Sequence, residues 1–213
     1  NMPVIPWTNA DHFTCNEKFQ GEFEMTLEIP AGGPYRIDTS LETKSTVPDL
    51  TWLYRGDCVL HLGVGNLFII AGQSNSAGYS RDFCIDPPSM DVHLYRNRSK
   101  WDIASHPMNE STFARSLANE EMGVPGVSPY LAFGKTYGKM TGMPVGLIQT
   151  SLGGSPMERW NPKDGDLYLN MVDKIHQTGG RYAGVLWYQG CSDTNPGPAE
   201  KYLEHFREYV EAT

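Results

Sequence analysis

Three short polar segments carry the residue types that acyl transfer needs, and each follows an apolar run. They are Gly72-Gln73-Ser74-Asn75-Ser76, Thr150-Ser151-Leu152-Gly153-Gly154-Ser155 and Tyr188-Gln189-Gly190-Cys191-Ser192-Asp193. Ser74 is the candidate nucleophile, because a hydroxyl at the end of a buried strand lies at the edge where open α/β sheets bind ligands. Gly153 and Gly154 let main-chain N–H groups approach a developing oxyanion with no Cβ in the way, and Gln189 offers a side-chain amide donor. Each feature also has a plainer use. A serine after a strand is most often a helix cap, a Gly-Gly pair a tight turn, and a strand-end glutamine a partner for buried backbone. The setting of Ser74 departs from the G-x-S-x-G elbow of α/β-hydrolases, since position 76 is serine.

The elements that must position these residues are legible around them. Residues 67–71 are fully apolar and read as a buried strand, as do 144–150 and 182–188, and 91–95 is a shorter strand. Ser128-Pro129 opens a helix running to Gly142, and residues 166–177 form an amphipathic helix stopped by Gly179-Gly180. A last helix covers 198–213, with Tyr202, Leu203, Phe206, Tyr209 and Val210 expected on one side. Residues 97–126 lack a clear period and read as a surface excursion with some helix over 111–121. Strands separated by helices imply right-handed crossovers and a mainly parallel sheet, whose C-terminal ends share one edge. The three polar segments therefore converge, and that convergence argues for a site more strongly than any one of them.

Residues 1–62 are β-rich. Phe23, Met25, Leu27 and Ile29 alternate with polar residues, residues 30–34 make a turn, and further strands fit 35–39 and 51–62. A small antiparallel sheet or partial sandwich is expected. Trp7, Tyr35, Trp52 and Tyr54 either fill its core, the plainer use, or stack on carbohydrate. Domain boundaries follow as a β-rich accessory region over 1–62 and an α/β domain over 63–213.

With 39% apolar and 20% charged residues, the 213-residue chain has the composition of a globular protein. Its net charge of −8 and the lack of any Lys/Arg cluster argue against nucleic acid and anionic membranes as partners. No apolar run approaches the ~20 residues that span a bilayer. Cys15, Cys58, Cys84 and Cys191 have no CxxC or Cys/His spacing, which argues against structural zinc and leaves thiol state and compartment open.

Taken together, Gly72-Gln73-Ser74-Asn75, then Gly153-Gly154-Ser155 with Trp160, then Trp187-Tyr188-Gln189-Gly190 with Ser192-Asp193 resemble the sialate O-acetylesterase family. This is a branch of the SGNH hydrolases that includes acetylxylan esterases. The blocks occur in the family's order over residues 63–195, and the β-rich stretch with Gly32-Gly33-Pro34-Tyr35 and Tyr54-Arg55-Gly56-Asp57 resembles the accessory region of those enzymes. The resemblance implies a three-layer, flavodoxin-like parallel sheet with helices on both faces, and an esterase acting on O-acetylated sugar through an acetyl-serine. Sialic acid is the first candidate, and no metal or organic cofactor is implied. By position, Ser74 matches the nucleophile. The Ser74, Gly153 and Gly154 N–H groups and the Gln189 amide match the oxyanion hole. Asn75, Arg159 and Trp160 are expected to line the substrate pocket, with Trp160 alternatively structural.

Two departures from the family pattern matter. Cys191 stands where relatives carry a glutamate, leaving the role of Asp193 open, and no Asp-x-x-His follows residue 193 to supply the general base. His12, His61, His93, His106, His176 and His205 have no supporting motif and are expected to be structural or exposed, with His205 facing outward while Leu203 and Phe206 face inward. The α/β domain is accordingly expected to be incomplete at its C-terminus, with Asp-x-x-His on a companion or continuing polypeptide. A carbohydrate-binding protein that lost its base, and an acetylxylan or general carboxylesterase, are the alternatives.

Overall fold

The computed structural model describes residues 3–18, 20–44, 51–82, 84–121 and 123–213, without the side chains of Lys44, Thr51 and Trp52. The expected stacking role of Trp52 thus lies outside the described residues. The chain forms two compact units, Asn1–Ala31 and Gly32–Thr213. The first contains one antiparallel pair, β1 (His12–Cys15) and β2 (Gly21–Glu24). Both strands are exposed along their length, so the half-buried strand expected over 22–29 is shorter and more open than its alternation suggested.

The second unit begins with a long antiparallel ribbon, β3 (Gly32–Lys44) and β4 (Thr51–Val64), and the β-rich stretch is therefore divided between the two units. Trp7 and Tyr54 are exposed, so filling a core is not their role.

A five-stranded sheet follows, built from β5 (Asn66–Gly72), β6 (Val92–Tyr95), β7 (Trp101–Ile103), β8 (Val145–Gln149) and β9 (Gly184–Tyr188) in the order β7-β6-β8-β5-β9. Only β7, at one edge, runs antiparallel to its neighbour. Helices cover both faces: α2 (Tyr130–Thr141) on one, α3 (Asp166–Gln177) and α4 (Pro196–Ala212) on the other.

This layering explains why β5 reads as an unbroken apolar run. Phe68 and Ile70 pack with Val92, Leu94, Leu131 and Leu147, while Ile69 and Ala71 pack with Ile148, Met157, Trp160, Leu167, Met171 and Tyr209. Successive side chains of a strand point to opposite faces, and here both faces are core. Each fully buried aliphatic side chain contributes about 1.5–3 kcal/mol.

Three expectations require correction. Residues 111–121 form turns rather than a helix. The excursion around them is not merely superficial, since Asn97, Met108, Asn109 and Asn119 are fully buried. On α4, Tyr202, Phe206 and Tyr209 face the core, but Leu203 and Val210 are exposed and His205 is half-buried. The apolar stripe is narrower than expected: Phe206 and Tyr209 pack on Trp187, and Tyr209 also on Trp160, while Leu203 and Val210 lie to the side of that row and face solvent. The cysteines at 15, 58, 84 and 191 are free thiols.

Candidate active site

The sheet order places β5 between β8 and β9, so the three polar segments leave adjacent strands at one edge. They are also bonded to one another. The Leu152 N–H donates to the Gly72 carbonyl at 3.1 Å and the Gln73 N–H to the Tyr188 carbonyl at 3.1 Å. The buried Gln73 side chain reaches across to accept from the N–H groups of both Gly190 and Ser192 at 3.1 Å. Gln189 Nε2 in turn donates to the Ser155 carbonyl at 3.1 Å. Gly72 sits at φ 125, in close contact with the Tyr188 carbonyl, where a Cβ would collide. Gln73, central to this bonding, was not singled out from sequence, although its place between Gly72 and Ser74 was a usable signal.

Ser74 opens a four-residue helix, α1 (Ser74–Ala77), and is half-buried. The neighbouring Ser76 is fully buried, and its hydroxyl donates to the Ala71 carbonyl at 2.8 Å and bonds to the Tyr130 hydroxyl at 2.7 Å. Ser76 is thus committed to tying α1 to β5 and α2, whereas the half-buried Ser74 hydroxyl has no hydrogen-bond partner among the described residues.

The four expected oxyanion donors divide into two pairs. The Ser74 and Gly154 N–H groups have no backbone partner among the described residues. Gly154 is exposed, with φ 70 and open space around its Cα. The Gly153 N–H instead donates to Glu121 Oε2 at 2.9 Å, and Gln189 Nε2 also donates to Asp193 Oδ2 at 2.5 Å. Both groups are therefore occupied in this structure, whereas the Ser74 and Gly154 N–H groups are not. Asp193, buried, further accepts from the Met157 N–H at 3.1 Å, which makes it a brace between the second and third segments.

The expected substrate-contacting residues also separate. Asn75 is exposed and lines a cleft of about 500 Å³ with Tyr79, Ser80, Asp86, Ser128 and Tyr188. Tyr188 is 52% exposed, an aromatic face at the end of β9 that the sequence reading passed over. Arg159 is paired with Asp166 at 2.5 Å and donates to the Ala118 carbonyl at 2.9 Å, so its guanidinium anchors the start of α3 to the excursion. The hydrogen bond that its guanidinium donates to Asp166 raises its pKa above the ordinary arginine value. Trp160 has no exposed surface and packs edge-on against Trp187 and Tyr209. Of its two expected uses, pocket lining and structure, its place in this structure is the structural one, within the core.

The histidines do not supply an obvious base. His106 borders the cleft through Asp86 and Ser128, but both its ring nitrogens are engaged. Nδ1 accepts from the Ser128 N–H at 3.4 Å, so the proton sits on Nε2 and is donated to Asp86 Oδ2 at 2.9 Å. His93 lies on β6 in register with Gly146 and Leu67, five residues or about 16 Å short of Gly72 at 3.3 Å per residue. His176 is exposed on the last turn of α3.

Asp86 carries a pH prediction. Burial pushes its pKa up, but hydrogen bonds from Lys135 and His106 outweigh burial and hold the carboxyl below its ordinary value. A depressed acid pKa stabilises the fold fully above the unfolded value of about 3.9, and the stability is lost as pH falls through the lower folded value. Urea unfolding between pH 2 and 5 should show this slope in the wild type and a shallower one in Asp86→Asn.

The comparisons with known proteins agree with this architecture. Residues 64–213 match the sequence profile of the family described as carbohydrate esterase, sialic acid-specific acetylesterase, and the chain belongs to that family. A protein described as a probable carbohydrate esterase of Arabidopsis thaliana is 32% identical over 149 residues, which cover 60% of this chain and 54% of that protein. The chain thus spans about half the length of that curated relative. A solved Arabidopsis thaliana structure superposes with a TM-score of 0.60 at 24% identity, covering 69% of this chain and 67% of the other. A carbohydrate acetylesterase from Xanthomonas citri superposes at 0.51 with 19% identity, covering 90% of this chain and 44% of that one. At these identities the two structures bear on fold alone.

Proposed function

We propose that residues 63–213 form the catalytic module of a serine esterase that removes O-acetyl groups from a sugar, with O-acetylated sialic acid as the preferred substrate. The observation that carries this reading is the cross-bonded edge of β8, β5 and β9. It leaves the Ser74 hydroxyl open to a ligand, while Ser76 and the surrounding turns are tied down. The family assignment supports the sugar ester, and the words of its description favour sialic acid.

In the proposed reaction Ser74 Oγ attacks the acetyl carbonyl as its proton passes to a general base, forming the new C–O bond. The oxyanion that develops is met by the Ser74 and Gly154 N–H groups, donors of a kind that typically contribute about 2.7–4 kcal/mol each. The intermediate collapses with cleavage of the ester bond, and the sugar oxygen leaves with the proton from the base. Water, deprotonated by the same base, then releases acetate from the acetyl-serine. The base is proposed to be the imidazole of an Asp-x-x-His segment on polypeptide outside residues 1–213.

Acetate release by the full polypeptide that carries this chain, measured on O-acetylated sialic acid, acetylated xylan and an aryl acetate, tests the substrate. The expected order of kcat/KM places acetylated sialic acid first. A higher value on xylan would move the protein to the acetylxylan esterases, and binding of sialic acid without any acetate release would make it a carbohydrate-binding protein.

A further inference from the structure

A buried polar relay runs from α3 to the Gly153–Gly154 turn, and its ends fix its direction. Lys174, on α3, is 2% exposed, and its ammonium donates to the Gln149 carbonyl at 2.6 Å, Asn97 Oδ1 at 2.8 Å and Asn119 Oδ1 at 3.4 Å. Because lysine only donates, Asn97 must present its oxygen to Lys174 and its NH₂ elsewhere. That NH₂ donates to Asn109 Oδ1 at 2.6 Å. Asn109 must then also donate onward, and its Nδ2 reaches Glu121 Oε2 at 3.2 Å and the Ser151 carbonyl at 3.2 Å. Glu121, an acceptor-only carboxylate, closes the relay by accepting from the Gly153 N–H at 2.9 Å and from the Tyr79 hydroxyl. Asn97, Asn109 and Asn119 are 1%, 0% and 0% exposed, so these amides are cut off from bulk solvent and bond to one another and to their protein neighbours.

We propose that Glu121, oriented by this relay, is a positioning residue that fixes the Gly153 peptide so that the next N–H, that of Gly154, faces the acyl oxygen. The inference rests on the esterase reading above and adds a residue that none of the three polar segments contains. Glu121 does not touch the reacting atoms; it acts through the turn. Burial first, and the hydrogen bond to Glu121 second, push the Tyr79 pKa up to about 12, which keeps that hydroxyl a donor to Glu121 throughout the neutral range.

The test combines amide exchange with kinetics on the full polypeptide that carries this chain. Glu121→Ala should speed hydrogen exchange of the Gly153 N–H at least tenfold. It should lower kcat on an aryl acetate at least tenfold while leaving KM within about twofold. Glu121→Gln keeps an oxygen for Gly153 and should restore most of both. Unchanged Gly153 exchange in Glu121→Ala, or a kcat within twofold of wild type, overturns the proposal. The exchange measurement reads the Glu121 contact without any catalysis. Failure of the esterase reading appears separately, as equal rates in wild type and Ser74→Ala, and that result removes the role given to the turn as well.

Discussion

Ser74→Ala should lower acetate release from an aryl acetate by roughly 10⁴-fold or more, the scale on which removing a serine nucleophile acts. The fold should survive, because Ser74 is half-buried and its side chain is not built into the core. Ser76→Ala should do the reverse. Its hydroxyl joins the Ala71 carbonyl to the Tyr130 hydroxyl inside the core, so its loss should cost about 1–2 kcal/mol of stability and leave acetate release within a few-fold. Steady-state rates and urea midpoints on the two variants separate these effects. Two serines one residue apart would thus divide chemistry from structure.

The second large effect is expected at Asp193, where the loss is of structure. Its carboxylate accepts from the Met157 N–H and from Gln189 Nε2, all within a buried turn. Asp193→Ala leaves the Met157 N–H and one of the two Gln189 Nε2 hydrogens without a partner, at a cost of roughly 3 kcal/mol for lost charge-assisted bonds and stranded donors. For a chain of this size that corresponds to a fall of about 6–12 °C in Tm. Asp193→Asn keeps one acceptor and should cost about half as much. Calorimetry on the three proteins provides the comparison, and a Tm within 2 °C of wild type for the alanine variant would contradict the brace.

Why some of this was legible in the sequence and some was not has a physical basis. Helix α3 was read at both ends because its signals are local: Asp166 in the first turn and the left-handed Gly179 and Gly180 just beyond the last. The three polar segments were visible because each interrupts a run that is apolar on both faces. The excursion after β6 was opaque for the opposite reason. Asn97, Asn109 and Asn119 are core residues with polar side chains, and the lysine that satisfies them is 55 and 77 positions distant from Asn119 and Asn97. No hydrophobic period can announce such a core. Trp160 had two readings from sequence, pocket wall and structural residue, and only the packing separates them: it lies in a 3-10 turn over Met157–Trp160 and is buried against Trp187. The occupied Gly153 N–H was equally hidden, since its partner Glu121 lies 32 residues earlier.

The central claim is that Ser74, and no other serine, is the acyl acceptor. Treating the full polypeptide with an aryl dialkyl phosphate, which transfers its phosphoryl group to activated serines, and mapping the product by peptide mass spectrometry tests this most directly. Stoichiometric modification is expected to be confined to Ser74, absent from the Ser74→Ala variant and parallel with loss of acetate release. Modification of Ser76, Ser151 or Ser155 instead, or full acetate release by a Ser74→Ala variant, would contradict it.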